Sequence, residues 1–267
     1  DISAENPAEI LNIIENFRLM DDTFMSKVFE DKACAELLLR VILNRDDLTV
    51  VRVVSQFELK NLQGRSARLD IYAFDEHGKQ YDIEVQRSDD GAAPRRARYN
   101  SSLLDANLLN PGDKFDELPE SYIIFITEHD VLKGGKPLYT VNRTISELDH
   151  AIFADGSHII YVNIYVNGEI RNGTALGELM QDFFCKDPRE MHYKVLSDRA
   201  GYFKKDKEGV DTMCKLVEDY GNKKTYEQAV RFATKLWNKG ERDLQQIADL
   251  TDLPLDEVKK LFEGKTA

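Results

Sequence analysis

Hydrophobic positions fall into two regimes along the chain. Between 21 and 44, DDTFMSKVFEDKACAELLLRVILN places Phe24, Val28, Leu38, Val41 and Ile42 at helical spacing, with Asp21 or Asp22 in N-cap position and a break near Asp31. One or two helices are predicted. From 49 to 59 the chain turns β-branched and alternating (TVVRVVSQFEL), 68–75 and 79–87 continue in that manner, and YIIFIT at 122–127 reads as a buried strand. Between the last two lies PRRARYNSSLLDANLL at 94–109, a predicted helix whose proline suits a first helical position. HIIYVNIYV at 158–166 predicts a further strand after the DGS turn at 155–157. Beyond about residue 174, LGELMQDFF, VDTMCKLVEDYG, YEQAVRFATKLWNKG and DLQQIADLTDLPLDEVKKLFEG all carry helical periodicity. The expected class is α/β, ordered helix, three strands, helix, strand, with an all-α C-terminal segment. A composition shift near 170 divides the expectation into a domain at 20–170 and a helical region at 171–267. No repeat and no Pro/Gly/Ser-rich linker is visible.

Within RLDIYAFDEHGKQYDIEVQR at 68–87, two alternating runs flank Glu76-His77-Gly78, which suits a three-residue hairpin loop whose glycine takes positive φ. Asp75 then faces Lys79, and counting back along both strands sets Asp70 directly opposite Glu84. Opposed strand residues share a face with Cβ atoms about 4.5–5.5 Å apart. Asp82 and Gln86 join that face, while Leu69, Ile71, Ile83 and Val85 point to the other, the expected core side. Two carboxylates that close repel unless a proton or a cation intervenes. Mg²⁺ typically takes one or two carboxylates and fills its shell with water and phosphate oxygens, so one Asp plus one Glu is a sufficient protein contribution. Acids simply exposed on the wet face of a hairpin are the competing explanation.

Composition narrows the field. With 267 residues, 42% apolar and 31% charged, the chain can bury a sizeable core. Three cysteines without CxxC spacing suggest neither a disulfide framework nor a zinc knuckle, and fit a reducing cytoplasm. Apolar runs fall far short of the roughly 20 residues needed to span a bilayer, so no membrane partner is expected. The net charge of −12 argues against generic attraction to polyanions, so any nucleic-acid role must rest on local patches. No GxxxxGK, GxGxxG after a strand, HExxH or GxSxG occurs, which leaves nucleotide hydrolysis, dinucleotide binding, zinc proteolysis and serine esterase chemistry without support.

GRSARLDIYA at 64–73 followed by YDIEVQR at 81–87, within that order of elements, resembles the PD-(D/E)XK nuclease superfamily, and more closely its transposase-like, Rpn-type recombination-promoting branch. MDDTFMSKVF at 20–29, RRARYNSSLLD at 95–105, YIIFITEHDV at 122–131 and SHIIYVNIYVNGE at 157–169 extend the similarity to about residue 215. The resemblance implies a restriction-endonuclease-like core (αβββαβ, mixed sheet) and Mg²⁺-dependent hydrolysis of DNA phosphodiester bonds, with Mn²⁺ able to substitute. Asp70 and Glu84 match the family's metal-binding and catalytic acids. Gln86 stands where lysine is usual; an amide can hold a water by hydrogen bond but cannot take its proton. A variant site and an inactive descendant serving as a regulator or binding module are both open at this point.

Asp22 matches the branch's opening motif and is the candidate third metal ligand, with an N-cap role as the alternative and Glu36 as a second choice. On the predicted helix at 94–109, Arg96, Arg98 and Tyr99 form a small basic and aromatic face, suited to gripping phosphate or to pairing with nearby acids. The closing DLQQIADLTDLPLDEVKKL resembles a helix-turn-helix with Leu253-Pro254 at the turn. Its lack of a basic recognition helix points to partner contact or a homo-oligomer through the C-terminal helices rather than base reading. Trp237, in a helical pattern with Phe232 and Leu236, is expected in the core.

Overall fold

A computed structural model describes residues 7–61, 64–170 and 172–263, the side chains of 89 and 90 excepted. The order is α1 (Pro7–Asn16), α2 (Asp22–Val28), α3 (Lys32–Leu43), β1 (Val50–Leu59), β2 (Ala67–Asp75), β3 (Gln80–Gln86), α4 (Pro94–Ala106), β4 (Ser121–Thr127), β5 (Leu138–Val141), β6 (Thr144–Ile145), β7 (Ala151–Ile152), β8 (Ser157–Asn163), and then α5 (Ala175–Phe184), α6 (Lys194–Lys205), α7 (Lys207–Asn238), α8 (Leu244–Thr251) and α9 (Leu255–Phe262). Two compact units result, Glu15–Asp206 and a helical unit whose described residues are 7–14 and 207–263. Helices α5 and α6 therefore fold with the sheet.

In the larger unit a six-stranded sheet runs β1-β2-β3-β4-β8-β5. The first three strands form an antiparallel meander, β3 to β4 and β4 to β8 are parallel, and β5 returns antiparallel on the far edge. This is the mixed sheet of a restriction-endonuclease-like core. The break near Asp31 is a helix start: its carboxylate accepts from Ala33 N–H at 2.9 Å and Cys34 N–H at 3.1 Å, capping α3. The β2–β3 loop follows its sequence, with Asp75 N–H donating to Lys79 O and Gly78 N–H to Asp75 O, both at 3.1 Å. Gly78 has φ +78° there, and Asp75 Oδ1 further accepts from the N–H groups of His77 and Lys79.

One expectation fails at β3. The strand lies between two neighbours, and its acid-bearing face is not wet: parallel pairing sets Asp82 beside Ile123 and Glu84 beside Phe125, and α4 packs over them. Leu59, Tyr72, Ala97, Leu103, Leu104, Ile123, Phe125 and Tyr161 form this second core layer, and Leu69, expected on the opposite face, joins it. The β2–β3 ladder ends at Ile71↔Ile83, so Leu69 and Asp70 lie where β2 has parted from β3.

Within the helical unit, Ala233, Trp237, Ile247, Ala248, Leu253, Val258 and Phe262 form one core, with Leu253 at the turn between α8 and α9 and Trp237 stacked on Phe262 at 4.3 Å between ring centroids. The two patterns at 210–221 and 226–240 merge into α7, because Gly221 is buried in step with Gly209, Met213 and Val217 and packing there replaces the break a glycine otherwise invites. In the larger unit, Lys204 donates to the carbonyls of Glu15, Phe17 and Lys186, and burial lowers its pKa to about 8. The cysteines are free. No helix among the described residues is long and apolar enough to cross a membrane.

Candidate active site

Glu84 projects from the middle of β3 beneath α4 and is wholly shielded from solvent. Its Oε2 accepts from Arg96 Nη2 at 2.6 Å and from Gln86 Nε2 at 3.2 Å; its Oε1 has no hydrogen-bond partner among the described residues. Asp70, half-buried, stands one step past the last β2–β3 pair, and its Oδ2 accepts from Val85 N–H at 3.2 Å, replacing the backbone acceptor that the parting strands no longer supply. Both carboxyls resist ionisation. Burial raises Asp70 to about 6 against the lowering effect of the Val85 hydrogen bond, with a further upward push from Asp22; burial and then the charge of Asp70 raise Glu84 to about 8. Asp82, two residues earlier on the same face and fully buried, is raised well above its ordinary value by burial and by Glu84, and its Oδ1 has no partner among the described residues.

The donor set fits a hard divalent ion. Two carboxylates interact, one presents a buried oxygen without a partner among the described residues, and burial holds each toward its protonated form against the charge of Arg96. Among the described residues no group of three or more His, Cys, Asp or Glu side chains is placed to hold a metal. Asp22 is the first residue of α2, not its cap; Asp21 holds the N-cap position and spends its carboxylate on Arg18 N–H at 2.8 Å and on Arg87 at 3.1 Å. Asp22 acts on Asp70 through its charge. Glu36 is engaged elsewhere, accepting from Val50 N–H at 2.9 Å and pairing with Arg40 at 2.8 Å.

Gln86, Arg96, Arg98 and Tyr99 are distributed differently than their spacing suggests. Arg96 turns inward, bridging Glu84 and the carbonyl of Gly91 at 2.8 Å, with its guanidinium 5.9 Å from the Phe125 ring centroid. Arg98 is exposed, and Tyr99 is 37% exposed. Sequence reasoning missed Gly91 and Asn100. A β-carbon at Gly91 would collide with the Gln86 amide, so the short turn after β3 presses its backbone against that side chain. Asn100 Nδ2 reaches Asp82 Oδ2 at 3.4 Å. Nothing in single-sequence spacing marks either residue, since the Gly91 contact depends on how the chain turns back after β3 and the Asn100 contact on how α4 crosses the sheet.

A mixed sheet carrying one aspartate where an antiparallel strand parts from its neighbour, and one glutamate at the centre of the next strand, defines a restriction-endonuclease-like protein. The family model for PD-(D/E)XK nuclease family transposases matches residues 25–175, more than half of the chain, and the chain belongs to that family. The match begins after Asp22 and covers Asp70, Glu84, Gln86 and the whole of α4. Neither a curated protein nor a solved structure matches the chain.

Proposed function

We propose that the protein is a metal-dependent DNA endonuclease of transposase or recombination-promoting type, with Asp70 and Glu84 as its catalytic, metal-holding acids and Mg²⁺ as the ion, Mn²⁺ substituting. The observation that carries this reading is Glu84 Oε1, a buried carboxylate oxygen with no partner among the described residues, beside a second carboxyl across the parted strands. A divalent ion bound there supplies a water of lowered pKa and offsets charge on the phosphoryl oxygens. The chain's own residues do the rest. Arg96 fixes the orientation of Glu84 from the Oε2 side, and Gln86, wedged by Gly91, keeps its amide beside the acids, where it can orient a water without taking its proton. Asp22 tunes Asp70 and is the nearest candidate to extend the ligand set. Arg98 and Tyr99 lie on the open side of α4, toward substrate.

Cleavage of supercoiled plasmid with Mg²⁺ tests the reading: nicked or linear product from wild type and none from Asp70→Ala is expected, and cleavage that survives Asp70→Ala removes this site. An inactive nuclease-fold regulator or binding module is the second reading, favoured by Gln86 in the place usual for lysine. It predicts no Mn²⁺-induced rise in melting temperature that depends on Glu84.

A further inference from the structure

The carboxylate pair marks where a bond is broken but not where the rest of the strand lies, and Arg96, the α4 arginine beside Glu84, is already bound to that acid. Acids outnumber lysine and arginine 48 to 36 in the chain. Many of its cations near the sheet are accordingly paired, as in Arg40–Glu36, Arg45–Asp47, Lys79–Glu120 and Arg87–Asp21. Lys60, Arg65, Arg95 and Arg98 depart from this: all four are exposed, and none forms an ion pair among the described residues.

Lys60 lines one groove, Arg65 meets its Tyr99 through a backbone carbonyl, and Arg95 and Arg98 stand one turn before its Tyr99 and Ser102. Its walls are Lys60 and Asn61 past the end of β1, and Tyr99, Ser102 and Asn107 on and just after α4. The β1–β2 connection is seated on the helix by its described residues, since Asn61 Nδ2 donates to Tyr99 Oη at 3.1 Å, Tyr99 donates to the Arg65 carbonyl, and Asn107 Nδ2 reaches the Lys60 carbonyl at 3.4 Å. On α4, residues 96, 99, 103 and 106 recur at three- and four-residue steps and so share a flank. That flank begins with Arg96 at Glu84 and continues into the groove, a run of about 15 Å at 1.5 Å per residue. Arg95 and Arg98 lie four residues before Tyr99 and Ser102 and edge it.

We propose that this groove binds the phosphate backbone of a DNA strand as it leaves the carboxylate pair, with Lys60, Arg65, Arg95 and Arg98 contacting phosphates and Tyr99 contacting the strand with its exposed ring. Charge complementarity selects the occupant: unpaired cations in and beside an open groove suit a polyanion, and the hydroxyl and amide groups that share its lining with Leu103 and Ala106 suit phosphate oxygens. The identification of that polyanion as substrate rests on the nuclease reading.

The test is fluorescence anisotropy of a labelled 20-base-pair DNA duplex with the full chain in EDTA, over a salt series. Lys60→Ala/Arg98→Ala is expected to bind about tenfold more weakly at low salt and to flatten the plot of log K against log salt by about 1.8, the equivalent of two lost phosphate contacts. Lys194→Ala/Lys224→Ala, removing paired lysines of α6 and α7, is expected to match wild type. Equal affinity and slope for Lys60→Ala/Arg98→Ala and wild type, or an equal loss in the control, overturns the proposal. Melting curves verify that both variants remain folded. The assay contains no free divalent ion, so its outcome is separate from that of the cleavage test: cleavage surviving Asp70→Ala removes the carboxylate site and leaves the groove to be judged by anisotropy alone.

Discussion

The two oxygens of Glu84 have unlike surroundings, and much of the site's behaviour follows from that difference. Oε2 is fixed by Arg96 and Gln86, while Oε1 has no hydrogen-bond partner among the described residues. Burial raises Asp70 to about 6 and Glu84 to about 8, above the range near 4 usual for unfolded chains, so the folded protein binds more protons than the unfolded one across pH 4–8. Unfolding free energy without metal is therefore expected to be greatest at the acid end of that window and to fall as pH rises through 6 to 8. Calorimetry from pH 5 to 8 checks this, with Glu84→Gln flattening the slope. If Asp70 and Glu84 hold the ion as proposed, added Mg²⁺ should restore more stability at pH 8, where Asp70 is ionised and Glu84 about half so, than at pH 5. Gly91 bears on the same carboxylate through Gln86. In Gly91→Ala the Gln86 amide must move, and since it is the end of a flexible side chain the cost falls on geometry rather than stability. The expected result is a loss of cleavage of about tenfold or more with a nearly unchanged melting temperature.

At the level of elements, the core strands β1 to β4, β8 and helix α4 were legible, because alternation, buried apolar runs and a first-turn proline are local signals. Asp31 was legible too, as a break, and its role as cap gives a prediction: Asp31→Ala loses two hydrogen bonds to α3 and should cost about 1 kcal/mol in denaturant unfolding, with cleavage unaffected. The burial of Glu84 was not legible. An alternating strand looks half-exposed, and only its parallel neighbour β4 and the crossing helix α4 close the second face. Asp70 and Glu84 were brought onto one face by counting from the Gly78 turn, but the parting of the strands at Asp70, which lets its side chain take the Val85 N–H, has no sequence signature. The short strands β5 to β7 and helices α1 and α6 escaped as well, being too short or too weakly periodic to register.

For the molecule as a whole, a net charge of −12 gives no generic attraction to polyanions, so DNA binding at the proposed groove depends on the cations in and beside it. Raising salt should therefore weaken DNA binding steeply. The chain also carries a built-in optical label. Trp237 is its single tryptophan, packed face to face on Phe262 with Arg242 over its ring. Indole emission thus reports the unfolding of the helical unit alone, whereas circular dichroism averages over both units. Phe262→Ala, which empties a site only 3% exposed, should cost that unit about 3–5 kcal/mol and shift the emission midpoint to lower denaturant, while the strand signal keeps its own transition. A single indole thereby turns an ordinary fluorimeter into a means of asking whether the two halves of this protein melt together or apart.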